Sequence, residues 1–203
     1  MQSPIRRIRR TPAPRFSDGE GGMGSCVSYV KSDLFRYAGR VSAGAFLHYY
    51  LRHLGFRYSV WLRLTHASNP LVAVLAKARH RALSHKLGIQ IPSALPIGYG
   101  LLIPHPMCIV VNSSARIGDN CTLGHCVTFG SASKAAARVG DGVFIGPHAV
   151  LVEEVTIGSG ATIGAGSVVV KDVDAGDTVA GNPARRIGSS EGALIKNRWS
   201  VAR

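Results

Sequence analysis

Acidic residues are the first shortage in this chain. It has 11 Asp and Glu against 24 Lys and Arg, a formal net charge of +13. Such an excess invites an anionic partner: nucleic acid, an anionic membrane, or a phosphate-bearing cosubstrate. The imbalance is uneven. Arg6, Arg7, Arg9, Arg10 and Arg15 crowd the start, and Arg36 to Lys86 continue it, whereas residues 89–173 are nearly neutral. Cysteine is scarce as well. Cys26, Cys108, Cys121 and Cys126 form no C-x-x-C pair, which argues against a zinc ribbon or a thioredoxin-type motif. Free thiols in a reducing compartment are the expectation, and no metal site. Long hydrophobic runs are missing: the uncharged stretch 87–115 is broken throughout by Pro, Gly, Ser, Gln, His and Asn, and no apolar stretch reaches the roughly 18 residues that span a bilayer. The first twenty residues carry charge but no apolar core of a secretory signal. The chain is therefore read as cytoplasmic. Apolar residues are not short, at 46%, and chain-wide disorder is excluded.

What is present is a ladder. From Ile91 to about Val173 an aliphatic residue opens each hexad: Ile91, Ile97, Ile103, Ile109, then Ile117, Leu123, Phe129, then Val139, Ile145, Leu151, Ile157, Ile163 and Val169. Glycine often follows, as at Gly118, Gly124, Gly140 and Gly146, and the fifth place is small or aliphatic, as at Cys121, Ala149, Ala161 and Ser167. A period of six is too short for an α-hairpin repeat. It suits a coil of three short flat strands per turn, each hexad burying its opener inside and stacked turns completing the core. Two hexads are stretched, one after Ile109 and one after Phe129. They predict loops that bulge outward, the second running from Ser131 to Arg138. Insertions of this kind cluster on the binding face of a solenoid.

Around the ladder the chain divides into a basic arm without periodicity at 1–25, expected to be disordered, and an α-helical segment at 26–88. The coil follows at 89–188, and a loose tail at 189–203. In the helical segment Ser32 or Asp33 is the expected cap of a first helix. Gly55 is expected to break a run through Ala45–Leu51, Asn69-Pro70 to start another helix, and Gly88 to stop it. Arginines interleave with Phe, Tyr and Trp here. Two readings stay open: a peripheral membrane face, or a helical cap whose aromatics pack on the coil while its arginines snorkel.

The residues then point to a family. The blocks Tyr99-Gly100-Leu101, His105, Ile109-Val110-Val111-Asn112, Val127-Thr128-Phe129-Gly130, Ile163 to Val169 and Ala180-Gly181-Asn182-Pro183-Ala184 resemble the serine acetyltransferase family of hexapeptide acyltransferases. Phe56-Arg57-Tyr58, Trp61-Leu62-Arg63-Leu64 and Gly88-Ile89-Gln90-Ile91-Pro92 resemble the branch of it found in capsule and exopolysaccharide clusters. The resemblance covers residues 32–188 and implies a mainly β fold, a left-handed parallel β-helix behind an α-helical segment. That fold is an exception to right-handed crossover. It also implies homotrimers with sites between subunits, and acetyl-CoA as co-substrate.

Acyl transfer from a thioester to a hydroxyl needs a base for the hydroxyl proton and donors for the developing oxyanion. The resemblance implies His105 as that base. Counting through the stretched hexad places His125 one turn above it and Pro147-His148 one turn further, with Ala165 above them. Two positions depart from the family. Where an aspartate orients the catalytic histidine, this chain has Gln90, an amide that can hold a tautomer but cannot neutralise an imidazolium. Where a further histidine contacts the amino-acid acceptor, it has Ala135-Ala136-Ala137. Both favour a sugar hydroxyl over serine as acceptor. The pantetheine arm of acetyl-CoA is expected along Ser131, Pro147 and Ala165, with Lys171, Arg185 and Arg186 near its phosphates. Competing readings are a serine O-acetyltransferase, a non-catalytic trimeric scaffold, and a γ-class carbonic anhydrase. The last would need a second histidine ligand where Gly130 stands. Nucleic-acid binding rests on the N-terminal arginines alone and is not expected.

Overall fold

The computed structural model describes residues 26–133, 135–190 and 192–200; the arm expected to be disordered at 1–25 lies outside them. Four helices come first: α1 (Cys26–Ala38), α2 (Ala43–Arg52), α3 (Leu54–Leu64) and α4 (Pro70–Leu87). The coil that follows is a parallel β-solenoid of about four turns. Its first face stacks β1 (Val110–Val111), β4 (Thr128–Gly130), β7 (Val150–Val152) and β10 (Val168–Val169). Its second stacks β2 (Arg116–Ile117), β5 (Arg138–Val139) and β8 (Thr156–Ile157). Its third stacks β3 (Thr122–Leu123), β6 (Phe144–Ile145) and β9 (Thr162–Ile163). The antiparallel pair β11 (Asp177–Gly181) and β12 (Ala184–Ser189) closes that third face.

Every hexad opener named above is buried, from Ile91 at 2% exposure to Val169 at 1%, and all but Ile97 join at 2% or less. One side chain per hexad enters the lumen because each face holds a single inward position in its two- or three-residue strand. The small fifth residues are buried too: Cys121, Ala149, Ala161 and Ser167 show no exposure. Burial pushes the Cys121 thiol up to about 12, so it is an inert core group. The second stretched hexad falls where expected, since Phe129 and Val139 pair in register with Leu151 and Ile157. The first does not: Leu102 pairs with Thr122 and Val111 with Phe129, so the two extra residues lie between Ile103 and Val111, in the bend that carries His105, and buried Val111 rather than Ile109 is level with the other openers.

The helices have a specific task. The first rung of the coil, Ile97 to Ile103, has no strand beneath it, so its backbone polar groups need other partners. Side chains of α1 and α3 supply them. Asp33 accepts from the Leu101 N–H at 2.7 Å and Ser32 from the Gly100 N–H at 2.9 Å. Arg63 donates to the carbonyls of Ile97 and Gly98, and Arg36 to that of Gly100. The Tyr37 hydroxyl both donates to the Ile103 carbonyl and accepts from its N–H. Asp33 and Arg63 form a buried bidentate pair at 3.0 and 3.1 Å. Burial pushes the Asp33 carboxyl up while the Arg63 guanidinium opposes it.

Three local expectations need correction. Ser32 and Asp33 do not cap α1; they lie within it, buried, with their side chains committed to the coil. Gly55 does not break a helix. The break falls at His53, between α2 and α3, and Gly55 sits inside α3. A Cβ there would collide with the Ile103 carbonyl, so the glycine permits close approach of helix to coil. The tail is not loose through residue 200 either. Ile195 is buried, Trp199 packs edge-on against Phe35, and its N–H donates to Asn120 Oδ1 at 2.7 Å. The start and stop of α4 agree with expectation: Asn69 Oδ1 accepts from Leu71 and Val72 N–H, and Gly88 ends the helix at φ 63°.

Candidate active site

The histidines named above gather at the corner between the third and first faces. Backbone bonds there fix the vertical order of the turns: Cys126 N–H to the Met107 carbonyl at 2.9 Å, His148 N–H to His125 at 2.9 Å, and Gly166 N–H to Pro147 at 2.8 Å. His105, His125 and His148 accordingly stand in one column. The rings of His105 and His125 are 6.0 Å apart and nearly perpendicular, at 86°. Those of His125 and His148 are 5.1 Å apart at 83°. His105 and His148 are exposed and His125 is half-buried between them. The Nδ1 of His125 is buried without a hydrogen-bond partner, as is Ser167 Oγ two turns above. A buried polar atom left unpaired costs about 1–3 kcal/mol, and most buried polar atoms in native proteins are paired with protein groups or ordered water.

The same corner holds backbone strain. Cys108, Cys126 and His148 lie at φ 53°, 56° and 59°, the left-handed region that L side chains seldom adopt. The same conformation recurs at the fourth place of other hexads, at Gly100, Asn120, Gly142, Gly160 and Gly166, so it belongs to the turns of the coil, and at this corner Cys108, Cys126 and His148 carry it. The two thiols thus flank the histidine column, and burial raises Cys126. Sequence reading passed over this pair: counted from Ile103 and Leu123, Cys108 is sixth and Cys126 fourth, and the two residues inserted before Val111 are what bring them level. Among the described residues no group of three or more His, Cys, Asp or Glu is arranged to hold a metal ion.

The loop after β4 is pinned from the next turn. Ser131 Oγ donates to Glu153 Oε2 at 3.0 Å and the Ala132 N–H to Oε1 at 3.3 Å. Glu153 was not anticipated; its place one turn above the insertion was the available signal. Where this loop rejoins the coil, Ala136 and Ala137 are fully buried, so the stretch that lacks the family's acceptor-side histidine is folded into the core. Pro147 is half-buried and Ala165 exposed beside Gly166, around which a Cβ would meet open space. This leaves an open strip along the corner between the pinned loop and the column. At the far end Lys171 and Arg185 are exposed. Arg186 is instead held by Asp177 at 2.8 Å.

Gln90 lies apart from His105 in its contacts. Its backbone bridges to Val110, and its exposed side chain lines a cavity of about 630 Å³ together with His80, Arg81, Ser84 and His85 of α4. His80 is buried there, its Nε2 2.9 Å from the Tyr58 hydroxyl, and burial holds it below the ordinary histidine range. Burial likewise pushes Tyr58 up to about 12.

Comparison with known proteins accords with this geometry. Residues 136–171 match the bacterial transferase hexapeptide (six repeats) family. Serine acetyltransferase 1, chloroplastic, of Arabidopsis thaliana is 36% identical over 174 residues, covering 81% of this chain and 54% of that protein. The chain spans about half the length, or less, of the plant relatives it matches. Among solved structures, soybean serine acetyltransferase complexed with serine superposes with a TM-score of 0.66 at 35% identity, covering 80% of this chain and 70% of that one. Serine acetyltransferase of Brucella abortus in complex with coenzyme A gives 0.65 at 29% identity, covering 80% and 67%. With 35% identity to the soybean chain, 70% of which it covers, and a matching hexapeptide repeat, the protein belongs to the serine acetyltransferase family of hexapeptide-repeat acyltransferases.

Proposed function

We propose that this protein is an acetyl-CoA-dependent O-acetyltransferase in which His105 is the general base. The observation that carries the reading is the column at the coil corner, where the exposed His105 imidazole stands one turn below the half-buried ring of His125, 6.0 Å away and edge-on. In the step envisaged, a neutral His105 nitrogen takes the proton of an acceptor hydroxyl as its oxygen attacks the thioester carbonyl. The tetrahedral intermediate collapses by breaking the C–S bond, and the imidazolium returns the proton to the departing thiolate. The open strip past Ser131, Pro147 and Ala165 fits a pantetheine arm, and exposed Lys171 and Arg185 fit its phosphates. A homotrimer, with the strip completed by a neighbouring copy, belongs to the same proposal. So does a cytoplasmic location.

L-Serine is the acceptor that the relatives support, since the similar proteins are serine acetyltransferases and one is complexed with serine. This reading replaces the sugar hydroxyl as first choice. A saccharide hydroxyl remains a second reading on two observations. Gln90 is an amide facing the α4 cavity, and the stretch lacking an acceptor-side histidine is buried at Ala136 and Ala137. Release of free thiol from acetyl-CoA, followed with L-serine and separately with mono- and oligosaccharides, decides between them. Turnover with serine and none with sugars supports the first reading. The reverse supports the second. No binding of acetyl-CoA would leave the solenoid a scaffold.

A further inference from the structure

Helix α4 is apolar on two opposite sides. Its inner side packs on α3 and the coil through buried Ala76 and His80, with Ala73, Leu83, Ser84 and Leu87 half-buried. At about 100° per residue, the side facing away is formed by Leu71, Val74, Leu75, Ala78 and Ala82, a spacing of i, i+3, i+4, i+7 and i+11. All five are exposed, Leu71 at 80%, Val74 at 67% and Leu75 at 51%. A continuous outer stripe of this kind is not what a solvated helix face looks like. Cations border it on both flanks. Lys77 and Arg81 lie along one edge, Arg79 and Lys86 along the other, and all four are exposed. An apolar stripe with Lys and Arg on either shoulder is the pattern of a helix that lies in a lipid interface, its stems reaching out to headgroups.

Charge decides which occupant fits. Residues 26–88 hold ten Lys and Arg and a single acid, Asp33. That acid is buried in its pair with Arg63. The helical unit therefore offers no exposed carboxylate among the described residues. A second copy would bring the same cationic shoulders against these, an arrangement that repels. Nucleic acid would satisfy the charges and leave the leucine and valine stripe in water. An anionic bilayer surface matches both features at once. α2 adds exposed Leu47 and Leu51 beside exposed Arg52, the same combination on another helix. No helix among the described residues is long and apolar enough to cross a membrane, so the contact is one of lying on the surface.

We infer that the outer face of α4 docks this protein on anionic lipid, with Leu71, Val74 and Leu75 entering the interface and Lys77, Arg79, Arg81 and Lys86 meeting the headgroups. The inference stands apart from acetyl transfer. The test is co-sedimentation of the full chain with vesicles of phosphatidylcholine alone and of phosphatidylcholine mixed with phosphatidylglycerol, at low and high salt. Expected is binding to the mixed vesicles that weakens with salt, with little to the neutral ones. Lys77→Gln combined with Arg79→Gln should weaken it at least about tenfold, and Leu71→Ser combined with Leu75→Ser by a similar factor. Circular dichroism and thermal unfolding of the variants show that the fold is kept. Failure to bind mixed vesicles, or equal binding to neutral ones, would overturn the inference. So would vesicle binding unchanged in the leucine variant while its oligomeric mass in lipid-free solution drops, which would assign the stripe to a second copy. None of these outcomes depends on whether acetyl-CoA is turned over.

Discussion

Single residues here do work that their chemistry, more than their position in a motif, explains. His80 is an example. It lies under α4, buried, bonded to the Tyr58 hydroxyl at 2.9 Å, and burial lowers its pKa. A histidine held below its ordinary value binds fewer protons folded than unfolded, so stability rises with pH across its titration. Its contribution is complete above the unfolded value of about 6.5 and is lost as the pH falls from there toward the folded value. Urea midpoints measured between neutral and mildly acidic pH should decline for the wild type. They should decline less for His80→Gln, which keeps a hydrogen-bonding group without a proton to gain. Equal slopes for the two proteins would show that His80 is not the titrating group.

At the scale of elements, the cap and the coil are joined by close approach. The carbonyl of Ile103 stands over the backbone of Gly55, and the Tyr37 hydroxyl lies 2.7 Å from where a Cβ would be. Gly55→Ala would gain helix propensity of about 1 kcal/mol. It would nevertheless force α3 off the coil and strain the bonds of Tyr37 and Arg63 to the first rung, at a net cost of about 1–3 kcal/mol. Thermal unfolding should show a lower Tm. A raised Tm would mean that Gly55 only interrupts a helix, as its sequence context suggests. Most hexads were legible because one buried opener per face is a one-dimensional rule; the exception is Ile109, which is buried but stands level with Val127, while Val111 takes the opener's place beside Phe129. The cap was less legible. Ser32 and Asp33 read as a helix start because capping is what such residues do locally. Their partners, the N–H groups of Gly100 and Leu101, lie 68 residues away in sequence, and no local pattern announces an unpaired strand edge.

For the whole molecule, the site was legible in part. Counting hexads found the histidine column, and ring distances of 6.0 and 5.1 Å bear it out. The same counting did not flag Cys108 and Cys126, because the two residues inserted between Ile103 and Val111 put them out of step in sequence. Gln90 was expected to serve His105, yet it opens into the α4 cavity, which exists only once helix and coil are packed together. Charge is divided along the same line: the cationic surface belongs to the helices and the histidine column to a nearly neutral coil. One part of the molecule is suited to holding a place, the other to chemistry. The direct test of that chemistry is the steady-state rate of thiol release from acetyl-CoA by the full chain and by His105→Ala, with the preferred acceptor saturating. The rate should fall at least about a hundredfold, while the unfolding midpoint stays unchanged because His105 is exposed. Turnover retained in His105→Ala and lost in His125→Ala would contradict the assignment and move the base one turn up the column.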